Sequence, residues 1–142
     1  MTKNDLRGFL QGHRLGVLAT VSPEGEPQSA VMGIAVTPDL EIIFDTVKSS
    51  RKWRNLQSDR RVCLVIGWDQ ERTVQYEGLA DEPAGEELDR LREIYFTVFP
   101  DGRERAGWEG ITYFRVRPKW IRFSDFNPPG KIVEFTEKDL RR

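Results

Sequence analysis

The sequence predicts a mainly β domain, an antiparallel barrel with flanking helices, and three observations carry that expectation. Runs of strand length, apolar or alternating, recur along the chain and are joined by turns such as SPEGEP (22–27) and TPDL (37–40). Segments with helical spacing are few, one at the front and two inserted between strands. Strand and helix do not alternate regularly, as a doubly wound α/β sheet would require.

Each element has its own signal. Residues 3–12 place Leu6, Phe9 and Leu10 at i, i+3 and i+4, a short amphipathic helix. RLGVLATV follows as a buried strand. The Pro and Gly of SPEGEP then turn the chain into QSAVMGIAV, completing a hairpin. After TPDL comes EIIFDT as a third strand, then SSRKWRNLQSD as a helix with Ser49 or Ser50 as N-cap. RRVCLVIGW (60–68) is continuous and β-branched, and RTVQYEGLAD alternates as its partly exposed partner.

Between Pro83 and Phe99, Leu88, Leu91, Ile94 and Tyr95 recur at helical spacing. PDGRERAGWEG is read as a polar loop. ITYFRVRPKWIRFSDF (111–126) supplies one long bent strand or two broken at Pro118. No element is assigned beyond Phe126. The count is six or seven strands, and no repeat or linker divides residues 1–142, so one domain is expected.

Composition removes several function classes. Lys and Arg number 22 against 23 Asp and Glu, so no overall field draws the chain to nucleic acid or an anionic membrane. A single cysteine, Cys63, rules out an internal disulfide or a cysteine-based metal cluster. It lies in an apolar strand and is expected to be a buried, inert thiol. The one histidine, His13, cannot supply a multi-histidine metal site, and a surface or capping role is expected for it. No metal site is assigned. No apolar run has the length of a signal core or a membrane span, and the expected setting is the cytoplasm, without membrane contact. On the helix after Pro83, Glu86, Glu87, Asp89 and Glu93 lie with Arg90 and Arg92, which reads as a solvated, ion-paired face.

TVKSSRKW (46–53) concentrates anion-binding chemistry at a strand-to-helix junction. A helix start offers free N–H groups and the positive end of the dipole. Thr46, Ser49 and Ser50 add hydroxyls, Arg51 a planar fork and Lys52 a point charge. Cations in a first turn oppose the helix dipole unless an anion sits there. On spacing alone two readings stand, a phosphate cradle and a solvated helix start. Lys48, Arg51, Lys52, Arg54, Arg60 and Arg61 with Trp53 also allow nucleic-acid binding, against which the balanced charge weighs, and no nucleic-acid partner is expected.

FDTVKSSRKWRNLQSDRRVCLVIGW resembles the motif of the pyridoxamine 5'-phosphate oxidase-like, FMN-binding split-barrel family. The matching positions are Phe44, Thr46, Ser50, Arg51, Lys52, Asn55, Leu56, Arg61, Val62 and Leu64. LGVLATVSPEGEPQSAVM resembles the family's first hairpin, and the likeness runs in element order from about residue 6 to 125. The resemblance implies a six-stranded antiparallel Greek-key split β-barrel that binds FMN, with a deazaflavin or haem as the alternative group. The phosphate would be held by Arg51 and Lys52 with Thr46 and Ser50, beside Asp45. The strand residues Ala30, Val31, Met32 and Gly33 would lie along the flavin ring.

The resemblance also implies a homodimer with the cofactor at the subunit interface, completed by last-strand residues such as Trp120 and Arg122. Trp108, Phe114 and Phe123, like Trp120, equally suit a core or an interface. Family members that oxidise pyridoxamine phosphate carry a basic residue where this chain has Ala30, and an Arg-x-His group near the C-terminus. This chain has no histidine after His13. The expected function is therefore an FMN-dependent oxidoreductase of the broad family, with hydride passing through flavin N5 and an unidentified small-molecule substrate. Its alternative is a non-catalytic binding, storage or sensing protein. No catalytic side chain is assigned, because the cofactor carries the chemistry.

Overall fold

The computed structural model describes residues 1–141. Its elements are α1 (Lys3–Gln11), β1 (Leu15–Val21), β2 (Pro27–Gly33), β3 (Ala35–Val36), β4 (Ile42–Val47), α2 (Arg51–Ser58), β5 (Arg61–Ile66), β6 (Arg72–Asp81), α3 (Gly85–Val98), α4 (Gly102–Arg105), β7 (Ile111–Asp125), β8 (Lys131–Phe135) and α5 (Glu137–Leu140). The strands pair in the order β2-β1-β5-β6-β7-β4-β3, with β8 alongside β7. Every pairing is antiparallel.

β2 and β3 stand at opposite ends of that order, yet only Ile34 separates them in the chain. In a flat sheet six steps of about 4.8 Å would hold those ends about 29 Å apart, far beyond the reach of one residue. The sheet must curl until its ends meet, and β2 comes into contact with β4. Ile34 is fully buried at the closure, and its N–H donates to the Arg14 carbonyl at 2.9 Å.

Inside the curl lies the main core, with Leu18, Phe44, Leu64, Ile66, Val74, Tyr76, Phe114, Ile121 and Phe123 from the strands. Leu6 and Leu10 of α1 plug one opening, and Leu56 of α2 packs against the same core. The Tyr76 hydroxyl, buried there, donates to the Leu40 and Val116 carbonyls. A second cluster sits on the outside of the sheet, where Leu91, Tyr95 and Phe96 of α3 cover Ala35, Ile43 and Tyr113. Glu87 of α3 accepts from Arg90 and also from the buried Arg115 of β7, so the acidic face of this helix is partly an anchor rather than wholly solvated.

The expected mainly β split barrel is present, but the count of six strands is too low. β3 is a separate strand because Ile34 breaks the pairing, and β8 is a five-residue strand paired only to β7. The segment read as a polar loop contains the single turn α4. Beyond Phe126, α5 is capped by reciprocal bonds between Thr136 and Asp139. β7 is one continuous strand rather than two. It bends at a bulge, where Glu77 pairs with Trp120 and Gly78 with Pro118, leaving Lys119 unpaired. Gly78 is required there, since a Cβ would lie 2.3 Å from the Arg117 carbonyl oxygen.

Cys63 is exposed, not buried. β5 alternates with Val62, Leu64 and Ile66 inward and Arg61, Cys63 and Val65 outward, and among the described residues nothing covers its outer face. Desolvation and then the Glu77 carboxylate push the thiol pKa up, so it stays protonated. Among the described residues no helix is long and apolar enough to cross a membrane.

Candidate functional site

β4 ends at Val47, and the chain turns through Lys48 and Ser49 into α2. Ser50 is the N-cap, its Oγ accepting from the Trp53 N–H at 3.2 Å. That oxygen also accepts from the Thr46 hydroxyl at 2.9 Å. With both lone pairs engaged, the Ser50 O–H proton is available to a further acceptor. The N–H groups of Arg51 and Lys52, first in the helix, have no intrahelical acceptor.

The closure at Ile34 sets β2 against this helix start. Arg51, Lys52, Gln28, Ser29, Ala30, Thr20 and Leu18 line an open cleft of about 380 Å³. Arg51 Nε donates to Gln28 Oε1 at 3.0 Å. Asn55, one turn further along α2 and 1% exposed, donates to the same oxygen and to Thr20 Oγ1, each at 2.9 Å. Among the described residues, neither Nη of Arg51 and no carboxylate near Lys52 completes an ion pair. Among the described residues, Arg51 and Lys52 thus line the cleft without an anion of their own, at a helix start with two free N–H groups, while the Ser50 hydroxyl lies in the adjoining hollow that Arg51 also lines. That donor set fits a phosphate.

Of the expected residues the cleft takes Ala30, Arg51 and Lys52, with Ser50 and its partner Thr46 beside it at the helix start, and the others lie elsewhere. Met32 packs on the main core, and Val31 points out of the sheet, 62% exposed. Gly33 lies beneath the Phe99 ring, where a Cβ would come within 2.8 Å. Asp45 faces away from the cleft because β4 alternates. Its carboxylate accepts from the Tyr95 hydroxyl at 3.0 Å and from Arg105 Nε at 3.1 Å. Desolvation and then the Asp45 charge raise the Tyr95 pKa, so its hydroxyl stays a donor. Trp120 is on the outer face of β7, its Nε1 reaching Glu134 at 3.4 Å while Arg122 stacks over its ring and pairs with Glu134. Trp108 is exposed on the segment after α4, whereas Phe114 and Phe123 are core.

Thr20 and Gln28 were absent from the expected site, and Asn55 was matched without a role there. The signals were available. Arg51 and Asn55 are four apart and share a helix face, and Thr20 pairs with Gln28 in the first hairpin. His13 is remote in character, its Nδ1 bonded to the Phe9 carbonyl at 2.7 Å and its ring 4.5 Å from that of Phe9.

A family model described as pyridoxamine 5'-phosphate oxidase matches residues 2–125. A pyridoxine/pyridoxamine 5'-phosphate oxidase of Rubrobacter xylanophilus is 32% identical over 104 residues, 72% of this chain. The match covers 46% of that relative, so the chain spans less than half its length. Among solved structures, a haem-binding protein from Mycobacterium smegmatis superposes with a TM-score of 0.83 at 18% identity, covering 94% of this chain and 57% of that one. A pyridoxamine 5'-phosphate oxidase-related, FMN-binding protein from Nostoc punctiforme gives 0.69 at 14% identity, covering 87% and 80%. At these identities the likeness is one of fold.

The two arginines that flank β4 differ in kind, and denaturant unfolding without ligand distinguishes them. Arg105→Gln, which strips Asp45 of a half-buried partner, is expected to cost about 1–3 kcal/mol. Arg51→Ala is expected to stay within about 0.5 kcal/mol of the parent. Equal losses would show that Arg51 is held for stability.

Proposed function

The chain belongs to the pyridoxamine 5'-phosphate oxidase family, and from that premise we propose that it is an FMN-dependent oxidoreductase whose phosphate cradle is built on Arg51, Lys52 and Ser50. The observation that carries this reading is the convergence of uncommitted donors at the start of α2, in a protein whose other arginines are largely paired with carboxylates. Arg51 would take two phosphate oxygens through its Nη groups, Lys52 would balance charge, and the Ser50 hydroxyl and the first helix N–H groups would complete the shell. When bound, FMN would supply hydride transfer at its N5 to or from a small molecule. The backbone of β2 from Ala30 to Gly33 would lie along the ring, and no side chain of this chain is assigned a proton-transfer role. Ala30, at the position where pyridoxamine-phosphate-oxidising members carry a basic residue, favours a substrate other than pyridoxamine phosphate.

A haem or a deazaflavin in place of FMN is the second reading, favoured by the fold shared with a haem-binding protein. Arg51 and Lys52 suit haem propionates as well. His13, the sole imidazole, does not line the cleft, which favours the flavin.

FMN titration tests the cradle. Arg51→Ala with Lys52→Ala is expected to weaken FMN binding at least about 100-fold, since each charge-assisted bond contributes about 1.5–3 kcal/mol. Unchanged affinity would refute the assignment, and a Soret band on reconstitution with haem in place of flavin binding would favour the second reading.

The reading includes a homodimer. Val31, Val17 and Val65 lie in one row across β2, β1 and β5, and Ala19 and Cys63 lie in the next. Val31, Val65 and nearby Leu79 are 62%, 40% and 40% exposed, an apolar face that α3 leaves uncovered. Ser29, at the rim of that face, also lines the cradle, and Trp120 lies in the same row beyond Glu77. A second copy seated there would cover the aliphatic rows and bring its own β7 towards the cleft. Sedimentation at micromolar concentration should give a dimer, and Val31→Asp with Val65→Asp should give a monomer with weakened FMN binding. A parent protein that is monomeric with FMN bound would refute the shared site.

A further inference from the structure

Gln28 stands between two donors of different character. The Nε of exposed Arg51 and the Nδ2 of buried Asn55 both end on its Oε1, at 3.0 and 2.9 Å. Asn55 is fixed in turn, because its second N–H donates to Thr20 Oγ1, on a residue only 4% exposed. We propose that Gln28 is a positioning residue for the anion in the cradle, its amide oxygen holding the Arg51 guanidinium by Nε so that both Nη groups face the phosphate, with Asn55 and Thr20 as its buried anchor. This rests on the reading of the cleft as an FMN-phosphate site.

Two features carry the inference. The first is the choice of acceptor. Arg61, Arg90, Arg103, Arg105, Arg115 and Arg122 are all oriented by carboxylates. A carboxylate at position 28 would orient Arg51 equally well but would cancel the charge that an anion needs. A neutral amide fixes the direction of the fork and leaves its charge intact. An exposed arginine loses rotamer freedom when it grips a ligand, and one already held by Nε loses less.

The second feature is the state of Asn55. Its Oδ1 is buried without a hydrogen-bond partner. An unsatisfied buried acceptor opposes folding, and an apolar residue would suit this position on α2 better for stability alone. What the asparagine uniquely supplies is two N–H groups aimed at Thr20 and Gln28. The arrangement places Gln28 at the expense of one orphaned oxygen, as expected of a group serving the site rather than the core.

The test compares Gln28→Leu, which removes the acceptor, and Gln28→Glu, which keeps shape and adds charge, with Arg51→Ala. FMN and riboflavin are titrated against each, and melting temperatures are recorded without ligand. Gln28→Leu is expected to weaken FMN about tenfold or more, the equivalent of losing one hydrogen bond to a charged group. Gln28→Glu is expected to weaken it further, by pairing with Arg51. Gln28→Glu, which still accepts from Asn55, should melt near the parent, whereas Gln28→Leu should melt lower because it strands a buried Asn55 N–H. Both should bind riboflavin, which lacks the phosphate, as the parent does. If Arg51→Ala weakens FMN while both Gln28 variants bind it normally, the positioning role is overturned and the cradle stands. Losses of riboflavin equal to those of FMN would mark a general distortion and also overturn it. If Arg51→Ala itself binds FMN normally, the cradle reading fails and the positioning role fails with it.

Discussion

The single-residue link at Ile34 is the constraint on which the remaining architecture depends. It joins strands that end the pairing order on opposite sides, so the sheet has to curl. Curling creates an inside, which Phe44, Leu64, Tyr76, Ile121 and their neighbours fill. It also carries β2 across to the start of α2, a segment that pairs with nothing on that strand. Gln28 and Ala30 meet Arg51 and Lys52 only because the sheet closes there. The fold and the candidate site therefore share one geometric cause.

Charge placement separates the groups that hold the fold from those available for a ligand. Arg115 is buried with Asp81 and Glu87, and Arg105 ties α4 to Asp45 of β4, so each stabilises the attachment of the outer helices. Arg51 and Lys52 do the opposite. They sit where the helix dipole disfavours cations, and among the described residues no carboxylate offsets them. Beside them Asn55 leaves an acceptor unsatisfied in the interior. Three local costs cluster within five residues, and a bound phosphate would relieve the first two while the third orients the group that binds it.

Much of this was legible in the sequence, because local signals decide local structure. The SPEGEP turn fixed the first hairpin, and Ser50 was one of two expected N-caps for α2. The motif at 46–52 pointed to its own cleft. What was missed needed knowledge of which faces are covered. Val62 to Ile66 is apolar at every position, so that run by itself did not show that Cys63 looks outward. Asp45 and Thr46 are neighbours, but strand alternation sends one to Tyr95 and Arg105 and the other to Ser50. β8 has few residues and one pairing partner, and its pattern is too short to separate from a loop. Gln28 and Thr20 entered the site through a long-range approach that no spacing rule within one element reports.

Phosphorus NMR of FMN bound to the intact protein tests the central claim most directly. Free FMN carries a phosphate whose second ionisation falls near about pH 6. A cradle of Arg51, Lys52 and helix N–H groups stabilises the dianion, which lowers that pKa. The bound resonance should therefore be shifted from the free position and should hold still as pH falls through 6. A bound flavin whose phosphorus signal keeps the position and titration of free FMN would contradict the account.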